Sequence, residues 1–173
     1  MKKNSGFTLL ELLLTLALIA IVTAFAVPSM TEFSKNDRLT ININSMIGHL
    51  AYARSEAVKR SVQVAMCVSS NTDTPNPSCT GGNWEDGWIV YIDADASNTF
   101  DAGEEIIKAH AALEGDNRLT AVGVDPQIIY DNRGFLAGNT GSIQLCDGRT
   151  GPFGKTIRIT TTGRVRLEVD TPC

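Results

Sequence analysis

Six oxygen-bearing side chains recur at almost every second position of one acidic stretch. They are Asp93, Asp95, Ser97, Thr99, Asp101 and Glu104. The spacing matches the ligand positions of an EF-hand-like calcium loop, in which oxygen donors suit a hard cation. The residue at the usual glycine position is Asn98, which tolerates a left-handed backbone better than most. Because a strand and no helix leads into the stretch, we expect a solvated acidic hairpin tip, with calcium binding as the alternative.

A basic stretch lies closer to the C-terminus. Between Gly148 and Leu167 there is no acidic residue, and the basic ones are Arg149, Lys155, Arg158, Arg164 and Arg166. Arg164 and Arg166 are two apart in a predicted strand, so we expect their side chains to share a face, joined by Arg158 if its strand pairs in antiparallel register. Such a patch could contact DNA phosphates despite a formal net charge of −4, because the contact is local and distant charges are screened. The alternative is that these arginines pair with the acidic segment 83–131 or with a neighbouring protein.

The sequence offers little for catalysis. Its two histidines, His49 and His110, stand without a nucleophile motif, a metal motif or paired carboxylates nearby. The stretch from Gly148 to Thr156 approaches a phosphate-binding loop, but Arg149 occupies the place of the first glycine and a strand follows instead of a helix. We therefore expect no enzymatic activity and no resident cofactor.

These residues must be positioned by a chain that begins with a long apolar segment. From Phe7 to Val27 there are 21 residues with a single charge, Glu11. A helix of that length spans roughly 30 Å, about one bilayer core. Lys2 and Lys3 precede it, so the positive-inside bias predicts a single-pass anchor whose N-terminus stays in the cytoplasm while the remainder is exported. A cleaved secretory signal fits poorly, because no Ala-x-Ala-like site follows the segment.

Glu11 is the unusual feature of this segment. An acid inside a membrane helix costs several kcal/mol unless it is paired. If the chain were cut after Gly6, the new amino group on Phe7 would lie within about one helical turn of Glu11. The run Gly6-Phe7-Thr8-Leu9-Leu10-Glu11 after a short basic leader resembles the type III signal of type IV pilins and pseudopilins. The resemblance implies that a prepilin peptidase cuts after Gly6 and methylates Phe7, and that Glu11 docks each subunit into a filament.

Four cysteines follow on the exported side, where disulfides persist. They are Cys67, Cys79, Cys146 and Cys173, which allow three pairings. We favour the pair Cys67–Cys79, which closes a short loop, with the pair Cys146–Cys173, which would hold the C-terminus against a strand. A zinc site is the alternative, but CxxC spacing and clustered histidines are missing from the sequence.

The remaining pattern predicts an α+β fold. After Pro28, apolar residues recur every three or four positions to about Arg60, which predicts the amphipathic half of one long helix. The stripe consists of Leu39, Ile43, Met46, Ile47, Leu50, Ala53 and Ala57. A period of two then predicts short antiparallel strands. We place them at residues 62–67, 88–92, 106–108, 119–122, 127–130, 142–146, 156–160 and 165–169. The predicted organisation is a leader (1–6), a long helix (7–60, with 7–27 in the membrane or filament core and 28–60 amphipathic) and an exported β-rich domain (61–173) packed on that helix as one or two sheets.

Four stretches of this domain are similar to the GspH/FimT-type minor pilins. They are Ala53-Arg54-Ser55-Glu56-Ala57, Trp84-x-x-Gly87-Trp88-Ile89-Val90-Tyr91-x-Asp93, Asp101-x-Gly103-Glu104 and Gly163-Arg164-Val165-Arg166. The resemblance implies a type IV pilin-like fold and a structural subunit at or near the tip of a pilus, first held in the inner membrane and then extracellular. Its implied partners are other minor and major pilins. The alternative is a GspH-like pseudopilin of a type II secretion system.

The glycine and arginines of the last stretch carry a further implication. Gly163, Arg164 and Arg166 fit the signature through which FimT-type pilins bind double-stranded DNA during natural transformation. FimU-like relatives act chiefly in pilus assembly, so the resemblance leaves two roles open, tip assembly and DNA capture.

Overall fold

One long helix and eight strands make up the parts of the chain that the computed structural model describes, residues 8–124, 126–138 and 140–173. Helix α1 spans Leu9–Arg60. The strands are β1 (Gln63–Val68), β2 (Trp88–Asp93), β3 (Ile106–His110), β4 (Arg118–Val122), β5 (Gln127–Tyr130), β6 (Gly141–Cys146), β7 (Gly154–Ile159) and β8 (Val165–Thr171). A short 3₁₀ turn, Trp84–Asp86, precedes β2. The chain divides into two units, residues 1–38 and 39–173.

The first unit is an exposed apolar helix. Its large apolar side chains between Leu9 and Val27 are 54–76 % exposed, and this part of α1 is long and apolar enough to cross a membrane. The hydroxyl groups of Thr15 and Thr23 donate to the carbonyl oxygens of Leu12 (2.8 Å) and Ile19 (2.9 Å) in the preceding turn. Such bonds satisfy a hydroxyl without water.

In the second unit, α1 presents the predicted apolar stripe to the core. Leu39, Ile43, Met46, Leu50 and Ala53 are all buried, as is Ala57 one turn further on. Ile47 is only partly buried and packs at the margin of the core. The three- and four-residue spacing places this set on one helix face.

The strands form two four-stranded antiparallel sheets. The first has the order β3-β2-β1-β5 and the second the order β4-β6-β7-β8. The main core joins the helix stripe to alternate residues of both sheets, among them Val64, Val90, Ile143 and Ile157. The α+β arrangement predicted from the sequence, a long helix packed on antiparallel strands, is thereby confirmed, with two sheets.

A small second core lies on the other face of the first sheet. It contains Ala65, Cys67, Ile89 and Tyr91, with Cys79 and Phe100 packed against them. This explains why β2 is buried along its whole length, where a one-sided sheet would alternate. The disulfide Cys67–Cys79 contributes to this cluster, and Cys146–Cys173 joins β6 to the C-terminus. These are the two pairs that the sequence favoured among three.

Candidate functional site

The turn between β7 and β8 supplies the glycine of the Gly-Arg-x-Arg stretch. Gly163 has a φ of 71°, in the left-handed region that favours glycine. Its N–H donates to the carbonyl oxygen of Thr160 (2.8 Å). A β-carbon at this position would fall against the Gly134 carbonyl oxygen and 3.1 Å from Arg54 Nε. The glycine is therefore required both by conformation and by space.

Arg54 of α1 holds that turn in place. Its Nε donates to the Gly134 carbonyl oxygen and its Nη2 to the Thr162 carbonyl oxygen, each at 2.9 Å. The bonds span 80 and 108 residues of sequence, so they join the helix to two separate loops. The helical period assigns Arg54 to the solvent face. The only sign in the sequence that Arg54 has a structural role is the similarity of the stretch Ala53-Arg54-Ser55-Glu56-Ala57 to the GspH/FimT-type minor pilins.

The arginines expected to form a basic edge are only partly brought together. Arg158 and Arg166 are directly opposed in the antiparallel β7–β8 register, so this register brings the two side chains to the same face as expected. Strand β8 begins at Val165, and its pairing with the β7 side continues to the preceding residue, because the Thr160 N–H donates to the Arg164 carbonyl oxygen at 3.1 Å. The shared face of Arg164 and Arg166 stays a prediction. Within the described residues, no hydrogen bond or ion pair holds the exposed guanidinium groups of Arg164 and Arg166.

Arg158 has an acidic partner that lies outside the basic stretch defined from the sequence. Its Nε donates to Glu168 Oε1 at 2.7 Å, and this hydrogen bond raises the pKa of Arg158 further above its ordinary value. Glu168 lies one residue beyond the basic stretch 148–167. The local positive charge at β7–β8 therefore depends chiefly on Arg164 and Arg166.

The other two predicted DNA-contacting residues lie elsewhere. Arg149 precedes β7, where its side chain is paired with Asp147 (2.7 Å between Nη2 and Oδ2), is largely buried and stacks over the Phe153 ring. Lys155 Nζ donates to Thr40 Oγ1 on α1 at 3.0 Å. Lys155 and Arg158 are three residues apart on β7, so they point to opposite faces of the sheet. Neither Arg149 nor Lys155 extends the basic edge.

The acidic stretch brings three of its six predicted ligands together. One carboxylate oxygen each from Asp93, Asp95 and Glu104 lies within 4.8 Å of the others. Burial, followed by the neighbouring carboxylates, raises the pKa of Glu104, while the backbone N–H of Ser97 lowers the pKa of Asp95. This convergence of carboxylates is the part of the described chain best suited to hold a cation.

The rest of the loop is stabilised by its own hydrogen bonds. The N–H groups of Ser97 and Asn98 donate to Asp93 Oδ1 (3.0 Å) and Oδ2 (2.9 Å), and the Gln63 amide donates to Oδ2 (2.7 Å). The Ser97 and Thr99 hydroxyls contact Asp101, so these three residues satisfy one another instead of pointing at the carboxylate cluster. Asn98 has a φ of 61°, the left-handed conformation expected for it.

Two histidines and a tryptophan form a cluster between α1 and the first sheet. The indole Nε1 of buried Trp88 donates to His49 Nδ1 at 2.8 Å. The ring of His110 stacks on Trp88 with centroids 4.0 Å apart. Burial, followed by the charges of His110 and Lys108, lowers the pKa of His49. His49 thus serves domain packing, and nothing in its local sequence predicts a partner 39 residues away.

A long N-terminal helix on two antiparallel sheets, preceded by a prepilin-like start, defines the class of type IV pilin-like proteins. The chain belongs to the GspH family. The family model described as "Type II transport protein GspH" matches residues 42–163, and the model of the "Prokaryotic N-terminal methylation motif" matches residues 1–27. The resemblance to GspH/FimT-type minor pilins is confirmed, and the chain is a minor pilin or pseudopilin-like protein that assembles with other pilins.

Individual relatives agree with this assignment. The chain is 29 % identical over 172 residues to the pilin-like protein PilA1 of Thermus thermophilus, covering 94 % of this chain and 97 % of the relative. Its fold resembles crystal structures of the type IV minor pilin FimU of Pseudomonas aeruginosa in two crystal forms. The TM-scores are 0.60 and 0.56 at 16 % identity, covering 80 % and 76 % of this chain and 93 % and 94 % of FimU.

Proposed function

We propose that this chain is a minor type IV pilin that is incorporated at or near the pilus tip and supports pilus assembly. The observation that carries the proposal is the exposed apolar start of α1 joined to a prepilin methylation motif. An exposed apolar helix of this length is stable only in a bilayer or among other apolar helices. A subunit with such a helix is built to move from one of these environments to the other.

The proposed route has three steps. The precursor is held in the inner membrane with its domain on the outer side, and prepilin peptidase cuts after Gly6. The new amino group of Phe7 is methylated and then neutralises Glu11 of the same or a neighbouring subunit. Gly6 and Phe7 lie outside the described residues, and Glu11 has no ion-pair partner within them. The mature subunit then joins minor and major pilins in an extracellular filament.

Deletion of the encoding gene in its own cells tests the assembly role. We expect the deletion strain to lose most surface pili by electron microscopy, and the full chain to restore them. A chain with Glu11→Leu should fail to restore them although it still enters the membrane. Normal piliation combined with a defect in protein secretion would instead favour the pseudopilin alternative.

A second candidate function is weak binding of double-stranded DNA by the β7–β8 edge during natural transformation. It is favoured by the exposed Arg164 and Arg166 without acidic partners in the described chain and by the rigid turn that Gly163 and Arg54 provide. Phosphate contacts of this kind give affinity without sequence preference and weaken with salt.

Paired substitutions test DNA binding directly. We expect Arg164→Gln with Arg166→Gln to weaken binding of duplex DNA roughly tenfold at low salt, because two phosphate contacts are lost. Arg118→Gln, an exposed arginine on β4, is the matched control and should leave binding unchanged. Fluorescence anisotropy with labelled duplex DNA measures both. Unchanged affinity in the double variant would exclude this function.

A further inference from the structure

An apolar groove of about 700 Å³ runs between α1 and the turn that leads into β8. Its apolar lining comes from Ile47, Ala51, Val58 and Val165. The three helix residues are four and seven positions apart, which places them on one face of α1. Val58 is 50 % exposed and Ala51 is exposed as well, so this face adjoins the buried stripe at the partly buried Ile47 and extends from it into solvent. The exposed aliphatic side chains give the groove an apolar floor on which another apolar side chain could pack.

The turn that forms one wall of the groove is held in place before anything binds. Arg54 is held by two backbone carbonyl oxygens, and the turn at Gly163 has no room for a side chain. Lys59 donates to the buried Glu56 at 3.1 Å. A preformed site loses little side-chain entropy on binding, so more of the contact energy appears as affinity.

The charge around the groove has one sign. Arg54, Lys59 and Arg164 line it, and no acidic residue does so among the described residues. An apolar floor with a basic rim fits a segment that has both apolar side chains and carboxylates. It does not fit DNA phosphates, which would lose their hydration against aliphatic side chains without compensating hydrogen bonds.

We propose that this groove receives an acidic, apolar segment of a neighbouring pilin subunit in the filament. The proposal rests on the proposed incorporation into a pilus and adds the surface used and the chemistry of its partner. The groove is formed by the same helix that begins with the apolar assembly segment. A neighbour already packed along that helix would therefore be present at high effective concentration, which lets a modest groove select its partner by charge.

Photo-crosslinking of the full chain in piliated cells tests the proposal. Benzoylphenylalanine replaces Val58 in the groove or, as a matched control, Val122 on β4, which is 63 % exposed. Irradiation of sheared pili should join the Val58 position to an acidic segment of another pilin, identified by peptide mapping. The Val122 position should give only background. No adduct at Val58, equal adducts at both positions, or adducts with DNA or with a protein that is not a pilin would overturn the proposal.

Charge reversal separates the groove from the DNA-binding edge. Arg164→Glu should reduce the Val58 adduct about fivefold, because it places a like charge against the partner's carboxylates. Arg166→Glu should leave the adduct unchanged, since Arg166 does not line the groove. Equal sensitivity to both would overturn the proposal. A chain that never reaches the sheared pili would overturn the proposed function and this inference together, whereas a chain in pili without the adduct overturns the inference alone.

Discussion

At the scale of single residues, the glycine of the Gly-Arg-x-Arg stretch acts through the backbone. Gly163 lets the β7–β8 turn approach Gly134 and Arg54 closely. This close packing fixes the backbone position from which the Arg164 side chain extends. The resemblance implies a single role in DNA binding for Gly163, Arg164 and Arg166 together. In this structure the glycine has a positioning role, and the arginines are the groups able to contact a ligand.

Replacing Gly163 should lower the stability of the domain more than replacing Gly81, a second glycine with a similar backbone conformation. We expect Gly163→Ala to destabilise the domain by about 2–3 kcal/mol through backbone strain and contact with the Gly134 carbonyl group. Gly81 has a similar φ of 69° with nothing within 4 Å of an added β-carbon, so Gly81→Ala should cost only about 1 kcal/mol. Thermal unfolding of the full chain in detergent, followed by circular dichroism, measures both. Equal costs would contradict this account of the turn.

His49 should make the stability of the domain depend on pH. Its pKa is lowered from the ordinary value of 6.5, so the unfolded chain takes up the proton more readily. The stabilising contribution is therefore complete above about pH 6.5 and is lost as the pH falls through the lowered pKa. Protonation of Nδ1 would also remove the acceptor for the Trp88 indole N–H.

A non-titrating replacement tests this dependence. We expect the melting temperature of the wild-type chain to fall between about pH 7 and pH 5. His49→Gln keeps an oxygen acceptor near Trp88 and should flatten that slope, while His110→Gln should retain most of it. Melting curves of the three chains across this range are the measurement. An unchanged slope in His49→Gln would assign the pH dependence to other groups.

At the scale of elements, much of the fold could be predicted because the relevant signals are local. The stripe from Leu39 to Ala57 repeats with the helical period, and its members are buried as expected except for the marginal Ile47. All eight predicted strands are present, with ends that differ from the prediction by at most two residues. Alternation and turn residues are properties of neighbouring positions, so a single sequence displays them.

The contacts that shape the site could not be predicted in this way, because they join residues distant in sequence. Arg54 lies on the helix face that the period assigns to solvent, and the sequence names no partner for His49, yet each contacts groups far along the chain. The pairing of Arg158 with Glu168 depends on the β7–β8 register. Of the two helix residues, only Arg54 is indicated by the sequence, through the similarity of the stretch around it to the GspH/FimT-type minor pilins.

The acidic loop after β2 should hold its conformation without a divalent ion. Asp93 is buried and already accepts three N–H donors, from Ser97, Asn98 and Gln63. We therefore expect calorimetric titration with calcium chloride to show no binding tighter than about 1 mM. Micromolar binding that Asp95→Asn abolishes would contradict this expectation and make the loop a calcium site.

At the scale of the whole molecule, charge and apolar surface are distributed unevenly. Residues 83–131 contain eleven acidic and two basic residues, while the groove and the β7–β8 edge carry arginines and a lysine. The proposed contact of the basic groove with an acidic segment of another subunit is a head-to-tail contact, and such contacts continue as helical filaments where they do not close. The exposed helix of the first unit suits the same mode of assembly.

The central claim is that proteolysis exposes the apolar helix as the start of a filament subunit. Intact-mass spectrometry of the chain recovered from sheared pili tests this most directly. The account predicts a mass equal to residues 7–173 plus one methyl group, with both disulfides intact and the methyl group on the amine of Phe7. A mature chain that begins at any other residue, or that is found only outside the pilus and the membrane, would contradict it.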